Sequence, residues 1–345
     1  MNLSRTSPSL NDAPGLLYAG FNQDYGCFAV GLDNGFRVYN CEPLIEQARD
    51  ESDEGGIALV EMLYRTNYLA LVGGGRNPRY PPNKVIIYDS VKGKPVLELE
   101  YKSEVKNVKL RRDRLTVVLQ NKVFVYHFAL PPQLLHTFET CDNEKGLAAV
   151  STSLNHAILI IPGRQKGHLQ IIDLNSLGYY ISVGEADPFI IAAHSGKLSC
   201  LSLNQDGSRC ATTSDKGTLI RVFNTATGTL LHELRRGMDR AEIYSIAFNT
   251  ESTRICVSSD KGTIHIFNLD PSVVTHDLLP KYFSSEWSFA NAKIATESRC
   301  LVAFGNQKNS FTAICADGSC YKFYFDPRKG GECTRESFVR FLKRE

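Results

Sequence analysis

The sequence predicts an all-β chain, a seven-bladed β-propeller of WD40-like four-stranded blades, and two observations carry that prediction. The segment 203–224, LNQDGSRCATTSDKGTLIRVFN, returns at 248–268 as FNTESTRICVSSDKGTIHIFN. Asn204 and Asn249, Arg209 and Arg254, Ser214 and Ser259, Gly217 and Gly262, and Thr218 and Thr263 all stand 45 residues apart. A period of about 40–45 residues, with short strands and Asp-Gly-type turns, marks WD-type blades. The second observation is the lack of long amphipathic helical patterns, apart from a short candidate at 336–343. An alternating α/β architecture needs such helices.

Each unit has a physical logic. A polar turn joins its first strand to its second. A second turn, Asp-Lys-Gly or Asp-Asn-Gly, feeds a third strand of alternating apolar residues. The pattern is abbreviated at 21–40 and divergent at 300–325, and β-like units fill 60–100, 105–138 and 147–183. With the two best repeats, these make seven. A flexible segment over 1–14 is expected ahead of a single domain over 15–345. Two insertions interrupt the pattern. Gly73-Gly74-Gly75 leads to Tyr80-Pro81-Pro82 in the second unit, and 269–285 follows the third strand of the sixth. The triple glycine lacks the Gly-Lys-Ser/Thr and following helix of a nucleotide loop, so a structural loop is expected.

The chain has 345 residues and a formal net charge of +2, so any charged partner must be met by a local patch. Its first residues carry no apolar core of a secretory signal, and its apolar runs at 68–72 and 157–162 are too short to span a bilayer. Ten cysteines are scattered without a C-x-x-C pair. Reduced, half-buried thiols in a cytosolic protein are the expectation, with no zinc site and no cofactor. No triad or metal cluster is legible, so an enzyme is disfavoured. The basic run 106–114, KNVKLRRDR, reads as a solvated strand and turn.

The informative segment is Leu234-Arg235-Arg236-Gly237, which ends a strand starting at Thr229. Successive strand side chains point to opposite faces. Arg235 therefore serves the fifth blade and Arg236 the sixth. Both blades carry Ser-Asp-Lys-Gly-Thr, at 214–218 and 259–263, with Arg221 beside one and His265 beside the other. Hydroxyls, turn amides and a guanidinium fork are what a phosphate monoester requires. By itself, Ser-Asp-x-Gly-Thr is also an ordinary blade turn. An unperturbed His265 would strengthen anion binding as pH falls towards ~6.5. The insertion carries Val273, Val274, Leu278, Leu279, Tyr282 and Phe283. It is either a loop folded back on the propeller or a finger entering a bilayer beside the pockets.

These segments, with VGGG, YPPNKV, VKLRRDRL, HTFETCDNEKGL, LPKYFSSEWSF and ICADGSCYKF, resemble the PROPPIN family. Within it they are most similar to the WD-repeat phosphoinositide-interacting branch of the third mammalian type. The resemblance implies a non-enzymatic propeller that reads phosphatidylinositol 3-phosphate and the 3,5-bisphosphate in autophagy. It implies a cytoplasmic protein recruited peripherally to phagophore and endolysosomal membranes. A first lipid site falls on Thr212, Ser214, Gly217, Thr218, Arg221 and Arg235. A second falls on Arg236, Gly237, Ser259, Thr263 and His265. A lipid-transfer partner would meet Asn22 and Asp24, although Asn-Gln-Asp is also a plausible blade turn. The family's Phe-Arg-Arg-Gly is here Leu-Arg-Arg-Gly, and the membrane loop is shorter than usual in that branch. The competing reading is a lipid-independent WD-repeat scaffold whose arginine pair meets an acidic peptide.

Overall fold

Seven antiparallel sheets account for the chain in a computed structural model, which describes residues 13, 15–177, 187–269, 286–295 and 298–342. The fold is the seven-bladed β-propeller that the repeats predict. No helix occurs among the described residues. The proposed helix at 336–343 is a correction: Thr334–Arg340 is a strand, exposed along its whole length, that pairs as the outer member of the seventh blade.

The four main strands of each blade follow one another along the chain, from Leu16–Phe21 through Ile45–Glu51 in the first to Cys300–Phe304 through Thr334–Arg340 in the seventh. The chain divides into two compact units, 1–146 with 314–320 and 340–345, and 147–313 with 321–339. In the first unit, Ile57, Leu71, Val85, Val108 and Val117 belong to one buried cluster. The triple glycine packs there as expected. A Cβ on Gly73 would stand 1.8 Å from the Tyr80 carbonyl oxygen, and one on Gly74 would stand 2.2 Å from the Ala58 methyl.

The basic run is less solvated than the sequence suggests. Arg111 is 3% exposed and donates from Nε to Asp113 at 3.0 Å. Lys109 reaches the buried Glu61 at 3.1 Å, and Arg112 lies 5.0 Å from the centroid of the Tyr64 ring. These cations are held by partners within their own unit. All ten cysteines are free thiols, seven buried and three half-buried.

The second unit shows why a blade cannot stand alone. In the fifth blade, Ala211, Ile220, Val222 and Leu234 join Ile243, Ile246, Phe248, Ile255 and Val257 of the sixth in one cluster. The opposite face of the fifth blade gives Cys210 and Phe223 to a cluster with Ile160, Leu169, Ile171 and Ile191 of the fourth. Period-two alternation thus fills both faces with apolar side chains. Two blades depart from four strands. Glu286–Trp287 adds a short parallel strand outside Leu230–Arg235, and Gly331–Glu332 does the same outside Ala290–Lys293.

Phe248 is 2% exposed in the cluster joining the fifth and sixth blades. Phe248→Ala should destabilise by about 3–5 kcal/mol, as large-to-small changes in a packed core do. Urea unfolding would measure this, and a loss below ~1 kcal/mol would contradict the packing described.

Candidate functional site

The site follows from which way each strand residue faces. Since Cys210 and Phe223 face the fourth blade while Ala211 and Val222 face the sixth, Thr212, Ser214 and Arg221 lie on the fourth-blade side. Leu234 is fully buried on the sixth-blade side. Arg235, the next residue and the last of its strand, therefore lies on the fourth-blade side, in register with Leu219. Arg236 comes after the strand and returns to the sixth-blade side. The two arginines diverge.

Arg236 is 8% exposed and firmly held. Its Nε donates to the Gly217 carbonyl at 3.0 Å, its Nη2 donates to the Asp239 carbonyl, and its backbone N–H donates to the Thr218 carbonyl at 3.0 Å. Burial lowers its pKa, while the nearby Asp260 and Asp239 carboxylates favour the charged form. Gly217 makes this anchor possible. Its φ is +63°, and an added Cβ would stand 1.8 Å from the Ala241 carbonyl oxygen. Gly237 is under no such pressure, because a Cβ there would meet nothing within 4 Å.

On the fourth-blade side, the Oγ1 of the fully buried Thr212 lies 3.0 Å from His194 Nε2. Arg221 donates from Nε to Glu233 at 2.9 Å and from Nη1 to the Ala193 carbonyl at 2.7 Å. Ser214 is 8% exposed at the strand end. On the sixth-blade side, Ser259 Oγ accepts the Lys261 N–H at 3.4 Å, and His265 Nδ1 lies 3.1 Å from Ser288 Oγ. His265 is within the field of Arg236. Burial first, and that guanidinium second, push its pKa down to about 4. Burial and Arg221 push His194 down to about 4 as well. The expected pH response near 6.5 is thereby corrected: both imidazoles are neutral at pH 7. A neutral ring still offers one N–H, and a Ser288 hydroxyl donating to Nδ1 would leave that proton on Nε2.

The two half-sites are not the copies that the repeat suggested. Arg221 pairs with Thr212 and His265 with Val257, and the third strands begin at Leu219 and Thr263. TLIRVF has one residue more than TIHIF. Arg221 and His265 therefore match, but Leu219, not Thr218, occupies the place of Thr263. Thr218 lies in the turn, where its carbonyl holds Arg236.

Several contributors were invisible in the sequence. His194 comes from the connection between the fourth and fifth blades, and Ser288 from beyond the insertion. Glu233 had a legible signal, since it sits two residues before Arg235 on the same strand face. The insertion candidates Val273, Val274, Leu278, Leu279, Tyr282 and Phe283 lie outside the described residues. Among the partner candidates, Asn22 needs correction as a contact residue. It is 3% exposed, its Oδ1 accepts the Cys27 N–H at 3.1 Å, and its Nδ2 donates to the Tyr64 carbonyl at 3.3 Å. It holds a turn. Asp24 remains at the surface, accepting the Gly26 N–H at 2.9 Å and lying 3.6 Å from Arg65.

The family model described as PROPPIN matches residues 16–298. The chain belongs to the PROPPIN family. Among similar proteins, "SVP1-like protein 2" of Pichia angusta is 41% identical over 316 residues, covering 86% of each chain. "Autophagy-related protein 18e" of Arabidopsis thaliana is 38% identical over 332 residues, covering 92% of this chain and 85% of its own. Among solved structures, Kluyveromyces lactis Hsv2 with a complete loop 6CD superposes with a TM-score of 0.80 at 24% identity, covering 96% of this chain and all of the other; this likeness speaks to fold alone. The complex of KlAtg21 with the coiled-coil of AgAtg16 gives 0.78 at 26% identity, over 95% of this chain and all of the other. Among the described residues, no cluster of three or more His, Cys, Asp or Glu could hold a metal, and no helix is long and apolar enough to cross a membrane.

Nuclear magnetic resonance titration of the PROPPIN chain should place the inflections of His194 and His265 near 4 rather than ~6.5. A depressed folded pKa means that the unfolded chain takes up these protons first. Their contribution to stability is therefore present in full above ~6.5 and drains away as pH falls from there through about 4. Inflections near 6.5 in the folded protein would refute the burial assigned to these rings.

Proposed function

We propose that this PROPPIN is a peripheral membrane adaptor of autophagy that reads 3-phosphorylated phosphoinositides through two sites flanking Leu234-Arg235-Arg236-Gly237. One observation carries the reading: strand alternation sends the neighbouring Arg235 and Arg236 to opposite faces of the fifth blade, the first face bearing Thr212 with His194 and the second turned towards His265 with Ser288. Arg235, Thr212, Ser214, Thr218 and Arg221, with the Gly217 turn, form the first site. Arg236, Ser259, Thr263 and His265, with Gly237 beside them, form the second. The ligands are phosphatidylinositol 3-phosphate and its 3,5-bisphosphate.

The chemistry suits a phosphate monoester. Guanidinium donors form strong charge-assisted hydrogen bonds to its oxygens, and hydroxyls can donate to the rest. Neutral imidazoles add donors without a like charge next to each arginine. The first site keeps a counter-charge, because Glu233 occupies Arg221. A dianionic headgroup would compete for that arginine, so the sites should differ in strength. Two sites on neighbouring blades act on one membrane by raising effective concentration, with apolar residues of the 269–285 segment adding contact. The family resemblance, and relatives named for autophagy, support recruitment from the cytoplasm to phagophore and endolysosomal membranes. They also support engagement of autophagy machinery, and in this reading a lipid-transfer partner attaches at the surface bearing Asp24.

A second reading is kept by one observation, the complex of KlAtg21 with a coiled coil. In that reading this chain is a protein scaffold that needs no lipid. Liposome flotation decides between them. Arg235→Ala combined with Arg236→Ala should abolish flotation with vesicles containing phosphatidylinositol 3-phosphate, while wild type floats and neither protein binds neutral vesicles. Because Arg236 also ties two backbone carbonyls, the thermal midpoint of each variant is measured alongside. Arg235→Ala, which spares those ties, should alone weaken flotation severalfold. Undiminished flotation of a folded double variant would falsify the reading.

A further inference from the structure

The short strand Glu286–Trp287 lies against the same arginine. It pairs in parallel with Leu230–Arg235, with Leu234 opposite Glu286 and Arg235 opposite Trp287. Adjacent strands are roughly 5 Å apart, so the Trp287 backbone is an immediate neighbour of Arg235. The flanking residues fix how this tryptophan faces. Glu286 Oε1 lies 2.9 Å from His232 Nδ1 in the fifth blade, and Ser288 Oγ lies 3.1 Å from His265 Nδ1 in the sixth. With both neighbours turned inward to the blades, Trp287 turns outward and is 60% exposed. It is the only tryptophan in the chain. Met238, two residues after Arg236 in the chain, is 69% exposed.

We propose that Trp287 is a bilayer-interface anchor that docks the edge shared by the fifth and sixth blades onto the membrane holding the headgroups. The inference rests on the phosphoinositide reading of the site and adds the surface that touches the lipid itself. A headgroup held by Arg235 brings its own bilayer to that strand edge. An indole there has an apolar body and one N–H, which favours the boundary between headgroups and acyl chains over water or hydrocarbon. Leaving a tryptophan exposed costs solvation, yet nothing in its local pairing requires one. Glu286 and Ser288 supply the contacts that seat the segment.

The sole tryptophan is its own probe. Emission of the full chain is recorded with phosphatidylcholine vesicles lacking or containing phosphatidylinositol 3-phosphate, with a spin-labelled phosphatidylcholine as quencher. Isothermal titration with soluble inositol 1,3-bisphosphate measures headgroup binding without a bilayer. The expected result is a blue shift and quenching only with the phosphoinositide vesicles. Trp287→Ala should bind those vesicles about tenfold more weakly with unchanged affinity for the soluble headgroup, and Trp287→Phe should recover most of the loss. Vesicle binding with unshifted, unquenched emission overturns the anchor and leaves the headgroup reading intact. Headgroup binding without vesicle binding also overturns the anchor. Failure to bind either ligand overturns the anchor and the phosphoinositide reading together.

Discussion

Leu234 is the pivot of the whole arrangement. Its side chain is fully buried between the fifth and sixth blades, among Ile220, Val222, Ile243 and Val257. Because strand side chains alternate, fixing Leu234 fixes its successors: Arg235 must emerge on one side and Arg236 on the other. Hydrophobic packing between blades thus dictates the direction of charge at the rim. A one-residue slip of this strand would place an arginine in the apolar seam and a leucine at the proposed anion site, an exchange that burial of an unpaired charge makes prohibitive.

The electrostatic design keeps the buried arginine supplied without spending acidic groups on it. Arg236 is tied by carbonyl oxygens of Gly217 and Asp239, while the carboxylates near it act at longer range. Carbonyls orient a guanidinium yet leave its net charge available, whereas a close carboxylate would neutralise it. The two histidines follow the same economy, since rings held neutral do not compete with the guanidiniums for an anion. Arg221 is the exception. Its pairing with Glu233 makes the proposed fifth-blade site partly self-satisfied, an asymmetry created by two residues facing each other across adjacent strands.

Much of this was legible because it depends on local periodicity. Blade number followed from the repeat, and the divergence of Arg235 and Arg236 followed from the pleat. Register was harder. The extra residue in TLIRVF is absorbed in the turn, so matching letters at Thr218 and Thr263 hide different places in their blades. Residues that reach a strand end from the connection between blades, such as His194, leave no mark at fixed spacing. The run at 106–114 misled because sequence shows charge and not partners. Lys109 finds the buried Glu61 carboxylate only once its strand meets one from the second blade, whereas Arg111 pairs with Asp113 inside the run itself. Asn22 shows the opposite case, a polar residue in a surface-like turn that folds inward to satisfy backbone groups.

The two added parallel strands have a consequence for how other chains can attach. An outermost strand normally offers unpaired N–H and C=O groups, a template onto which a foreign extended segment can zip. Among the described residues, only the fifth and sixth blades have part of that edge covered from within their own chain. The capped strand of the fifth blade is the one that ends in the arginine pair. Among the described residues the outer strands of the other five blades stay uncovered, so an extended foreign segment would meet less obstruction there than beside the arginine pair.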